Sequence, residues 1–64
     1  MDLAFKVKSG WRVMKTVHNR IGVERLMYHE GDDKWAVALE NRTYHSFFEI
    51  PISRLPAWKK VFKL

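Results

Sequence analysis

Between Glu24 and Ile50 the chain alternates apolar and polar residues through three short runs, parted by two clusters of turn formers. Side chains along a strand point alternately to opposite faces, so such a pattern constrains which residues can share a core. The first run covers 24–30, the turn is Gly31-Asp32-Asp33-Lys34, and the second run covers 35–40. Gly accepts positive φ and Asp bonds its own backbone, which makes 31–34 a turn. A four-residue loop sets Glu30 opposite Trp35, Tyr28 opposite Val37 and Leu26 opposite Leu39. A two-residue loop would instead oppose Glu30 to Asp33, an unfavourable like-charge pair. A second turn at Asn41-Arg42 places Leu39 opposite Tyr44, Val37 opposite Ser46 and Trp35 opposite Phe48. Asn41 tolerates the left-handed conformation such a tight hairpin requires. The expected inner face is Leu26, Tyr28, Trp35, Val37, Leu39, Tyr44, Phe48 and Ile50.

The opposite face, with Arg25, Met27, His29, Ala36, Ala38, His45, Phe47 and Glu49, is mixed. Two alanines beside a large ring leave room for something to pack. A terminal segment is the plainer candidate; a protein partner touching Met27, His29, His45 and Phe47 is the functional one.

Upstream, Leu3–Lys8 alternates as a strand, and Trp11–Val17 follows with Trp11, Val13 and Val17 expected on one side. A three-residue loop, Lys8-Ser9-Gly10, would join them, with Gly10 in the left-handed position. Apolar parity is odd through Val17, Ile21 and Val23 and even from Leu26, which calls for a turn, bulge or crossing around 19–22. Downstream, Pro51 ends the fifth strand because it cannot donate to a ladder. Ser53 reads as a helix N-cap with Pro56 in the first turn. Leu55, Trp58, Val61 and Phe62 then share one arc, and Lys59, Lys60 and Lys63 the other. A closing strand is the alternative for this tail, with Trp58, Lys60, Phe62 and Leu64 on one face. The expected fold is a single mostly β domain: an antiparallel sheet of about five strands, as a curved meander or SH3-like barrel, with a short C-terminal helix.

A domain of 64 residues buries only about 60% of the surface its unfolded chain exposes. Without cysteine it has neither a disulfide nor a thiolate metal cluster to help it. Its nine aromatic residues must supply the packing, and oligomerisation is the other remedy open to it. No apolar run approaches the 18 or so residues of a membrane span, and no signal-peptide pattern opens the chain, so a cytoplasmic protein is expected.

Catalytic chemistry finds no foothold. His18, His29 and His45 lack the spacing of a helical metal pair, and Asp32-Asp33 is too short for a calcium loop. Ser9, Ser46 and Ser53 have no nucleophile elbow, and Gly10, Gly22 and Gly31 form no phosphate loop. Neither an enzyme, a metal nor a cofactor is expected.

Charge is more informative. The net charge is +5, from 12 Lys and Arg against 7 Asp and Glu. Residues 1–20 and 51–64 each carry a net +4, whereas 21–50 carries −3. A polyanion would therefore meet the ends of the chain. Lysines on outer faces are commonly only a solvated surface, but cations that neutralise phosphates, with rings nearby for bases, form a nucleic-acid interface. The expected contacts are Lys6, Lys8, Arg12, Lys15, Arg54, Lys59, Lys60 and Lys63, with DNA and RNA equally open. The alternative is a protein-binding inhibitor or adaptor that uses the mixed face or a sheet edge. A three-stranded meander followed by a helix is similar, in outline only, to the sheet-based DNA-binding modules of some integrases and AP2-type factors. Those modules read DNA with the outer sheet face, which in this chain belongs to the acidic segment.

Overall fold

The computed structural model describes residues 9–64. Four antiparallel strands, β1 (Trp11–His18), β2 (Val23–His29), β3 (Lys34–Glu40) and β4 (His45–Glu49), form one open sheet in chain order. A 3-10 turn over Ile52–Arg54 leads into one helix, α1 (Leu55–Val61). The tail is thus a helix and not a closing strand, and the fold is the mostly β meander that the alternation implies. The strand expected at Leu3–Lys8 lies outside the described residues, as do Lys6 and Lys8.

Both expected registers are displaced by two residues. In the β2–β3 ladder Leu26 pairs with Val37, Tyr28 with Trp35 and His29 with Lys34. Glu30 and Asp33 fall inside the turn instead of facing each other across a ladder, which removes the charge objection to this register. Asp33 takes a left-handed φ of 52°, and its Oδ1 accepts from Tyr28 Oη at 2.9 Å. Glu30 reaches Arg12 at 3.7 Å. In the β3–β4 ladder Val37 pairs with Phe48 and Leu39 with Ser46. Here Asn41 builds the turn with its side chain and is not left-handed. Its Oδ1 accepts from the N–H groups of Thr43 (2.8 Å) and Tyr44 (2.9 Å), and this stretches the loop over 41–44. A displacement of two leaves every side chain on its expected face.

β1 holds a correction of another kind. Val13 pairs with Met27 but Lys15 with Leu26, so a bulge lies between them. One extra residue inverts the parity of a strand. Trp11 and Val13 therefore lie on the face of Met27, and Val17 on the face of Leu26. The three do not share a side. A turn does lie at 19–22, as expected, but the change of parity sits at the Val13–Lys15 bulge.

The sheet consequently has a core on each face. On one, Leu26, Val37, Ile50 and Phe62 are buried, flanked by Val17, Trp35, Leu39, Leu55 and Trp58. On the other, Trp11, Met27, Ala36 and Ala38 are buried and Phe47 packs against them. Trp11 stands edge-on to Phe47 and to His29, each at 5.1 Å between ring centroids, and so spans the two alanines. Tyr44 and Phe48, expected inside, are 47% and 37% exposed. The displaced register leaves Tyr44 in the turn, and among the described residues Phe48, on the last strand of the sheet, has a ring contact with Trp58 alone.

Leu55 and Trp58 of α1, with Phe62 at its C-cap, pack on the sheet, whereas Val61 points outward. Arg54 is the N-cap and makes no side-chain cap bond; Ser53 lies in the preceding 3-10 turn, which closes on the Pro51 carbonyl. Pro56 stands in the first turn, where its missing N–H costs nothing. At the other end the Leu64 N–H donates to the Lys59 carbonyl and the Lys63 N–H to that of Lys60. This is a Schellman motif with Lys63 at φ 57°, in the position that favours glycine.

Candidate nucleic-acid interface

In a meander, alternate turns lie at the same end of the sheet. The β1–β2 and β3–β4 turns both begin with Asn and use it alike. Asn19 Oδ1 accepts from the N–H groups of Ile21 and Gly22, as Asn41 Oδ1 does from Thr43 and Tyr44. The turns are packed together: a Cβ on Gly22 would lie 2.1 Å from the Glu40 carbonyl oxygen. Arg20 and Arg42, 22 positions apart in the chain, thus stand at one end of the sheet beside exposed Ile21 and Tyr44. The opposite end holds the turn with Glu30, Asp32 and Asp33. Among the described residues the turns at the two ends of the sheet thus differ in charge. Neither arginine figures among the contacts expected from sequence; topology alone makes them neighbours, and the signal that could have found them was the shared order of the two turns.

The basic stretches expected to bind also converge. Cross-strand partners share a face, so Arg12 opposite Tyr28 and Lys15 opposite Leu26 lie on the side that carries α1. Lys59, Lys60 and Lys63 are on that helix or its C-terminal turn. Their environments differ. Lys15, Arg54, Lys60 and Lys63 are exposed and have no acidic partner among the described residues. Lys59 is half-buried, its Nζ 4.7 Å from the centroid of the Trp35 ring, a cation–π contact that holds it to the sheet. Arg12 is paired with Glu30, yet both side chains are mostly exposed, so the pair is weak.

Most acids are engaged locally. Glu24 accepts from Asn19 Nδ2, Glu40 meets Arg25 and His45, and Glu49 meets Lys34. The Asp33 bond holds the Tyr28 hydroxyl above the usual tyrosine range, through that hydrogen bond first, then desolvation and the charges of Asp33 and Glu30. Asp32 differs. Its carboxylate lies 3.7 Å from His29 Nδ1, but that nitrogen accepts the Asp32 N–H at 3.1 Å while Nε2 meets the Ser9 carbonyl at 3.1 Å. Nδ1 thus takes the Asp32 N–H rather than donating to its carboxylate, and the contact between the ring and the exposed carboxylate is a loose one.

The residues of the alternative surface are divided. Met27 is fully buried, so it holds the second core together and offers nothing to a partner. His29 ties the Ser9 and Asp32 backbones and packs against Trp11; Phe47 is half-buried under Trp11. His45 is exposed beside Glu40. Trp11 occupies the room above Ala36 and Ala38. Among the described residues no three His, Asp or Glu side chains come together as metal ligands, and no helix is long and apolar enough to cross a membrane. Comparison with protein-family models, with curated proteins and with solved structures finds no match to the chain.

Proposed function

We propose that the protein is a non-catalytic nucleic-acid-binding module whose contact surface is the helix-bearing side of the sheet. The observation that supports this reading is the convergence on that side of cations without acidic partners: Lys15 from β1, and Lys60 and Lys63 from the C-terminal segment. Arg54 at the start of α1 and Arg20 and Arg42 at the end of the sheet extend the surface. Such cations gain from phosphate because they release counterions without first breaking an ion pair. Arg12 gives up only a weak exposed pair, and Lys59 anchors the helix more than it contacts a ligand.

Affinity for DNA or RNA should fall steeply with salt, and each cation lost from the contact should reduce the log–log slope by about one. Lys60→Glu with Lys15→Glu should weaken binding strongly, whereas Lys34→Glu, whose partner is Glu49, should change it little. A titration by fluorescence anisotropy at several salt concentrations measures both. Absence of binding at low salt ends this reading.

A further inference from the structure

We propose that the two ends of the sheet are complementary surfaces, by which the protein associates head to tail with a second copy of itself. At the acidic end a cleft of about 510 Å³ opens between the β2–β3 turn and the 3-10 turn. Trp35, Ile50, Ile52 and Leu55 give it an apolar lining, and Asp32, Asp33, Lys34 and Glu49 form its rim. Ile52, on that lining, is 87% exposed. At the opposite end Ile21 is 72% exposed and lies between Arg20 and Gly22, with Arg42 on the adjoining turn. These two isoleucines are the most exposed large apolar side chains of the described residues, one at each end. Scattered exposed hydrophobes are ordinary; one beside two arginines, at the end opposite an apolar cleft whose rim holds three acids and one lysine, is complementary to that cleft in charge and in apolar character.

In the association Ile21 of one copy seats in the cleft of the next, and Arg20 and Arg42 face Asp32 and Glu49. Asp32 gives up only its loose contact with His29, and Glu49 only an exposed contact with Lys34. The contact joins two different surfaces, so copies add head to tail, in open chains or closed rings, and the contact is not an isologous two-fold one. Two turns meeting one cleft make a small contact, of the weak class below about 1,200 Å². Association is therefore expected at high protein concentration and low salt.

Nuclease-treated protein freed of nucleic acid would be run by sedimentation velocity over a concentration series at low and high salt. The expected result is a sedimentation coefficient that rises with concentration at low salt and stays flat at high salt. Reversing the charges in Arg20→Glu with Arg42→Glu should weaken association by about tenfold or more. Asp32→Lys with Glu49→Lys should do the same, and Asp33 is left intact because it holds Tyr28. An equal mixture of the two double variants should associate again, since each then offers the other a complementary end. Ile21→Ser, which leaves every charge in place, should weaken association without disturbing the fold, as a thermal melt would verify. A parent protein that remains monomeric throughout, charge reversals without effect, or a mixture that fails to associate would each overturn the proposal. Association that appears only when nucleic acid is added back would overturn it too, because nucleic acid would then be the bridge. No nucleic acid enters the main experiment, so its outcome is independent of the binding reading.

Discussion

The two faces of this sheet are closed by different means. One is covered by a separate element: α1 and its approach bring Ile50, Leu55, Trp58 and Phe62 onto Leu26 and Val37. Among the described residues, the other is covered largely by a single side chain of the sheet itself, Trp11, which the β1 bulge turns over Ala36 and Ala38. The helix face can be built from large residues because a second layer meets them. On the Trp11 face the small side chains of Ala36 and Ala38 leave room for the indole. A chain this short gains by using both faces, since neither core alone is large.

The largest expected effect tests the helix face. Phe62→Ala removes a ring that is 1% exposed and should cost about 3–5 kcal/mol in a denaturant titration. Trp11→Ala, at 8% exposure, should fall at the lower end of the same range, about 3 kcal/mol, and should abolish the near-UV signal of the Trp11–Phe47 pair. Equal losses would mean that the Trp11 face is no weaker than the helix face.

Gly22→Ala acts on neither face but on the joint between two turns. A methyl group 2.1 Å from the Glu40 carbonyl must push backbone aside, at a cost of about 1–3 kcal/mol in the thermal melt. Smaller, and of opposite sign, is Lys63→Gly. Glycine removes the left-handed strain at the end of α1 and should stabilise the protein by about 0.5–1 kcal/mol, while the loss of a cation weakens nucleic-acid binding. A variant that is more stable yet binds less well separates the helix as cover from the helix as ligand surface.

The smallest effect is spectroscopic. Tyr28 has its folded pKa raised, so the stabilisation from its proton is present below the ordinary tyrosine range and is lost as pH rises through the folded value. Asp33→Asn keeps an acceptor but removes the charge, and should lower the pH at which tyrosinate absorbance appears. An unchanged titration would show that Asp33 does not hold the hydroxyl.

The alternation of 24–50 was enough to sort Leu26, Val37 and Ile50 from Met27, Ala36 and Ala38, because which side of a strand a residue occupies is a local property with period two. The helical spacing of Leu55, Trp58 and Phe62 was legible for the same reason. Register was not, because a shift by two preserves every face; the Asn41 and Asp33 side chains settled it through the turns they build. The β1 bulge was legible only as a change of parity somewhere before Leu26, and its place depended on where Trp11 found a surface to cover. Arg20 and Arg42 show the limit most plainly. Each is a turn residue in the sequence, and only the order of strands in space puts both at one end, since charge acts through distance and the linear chain does not specify distance.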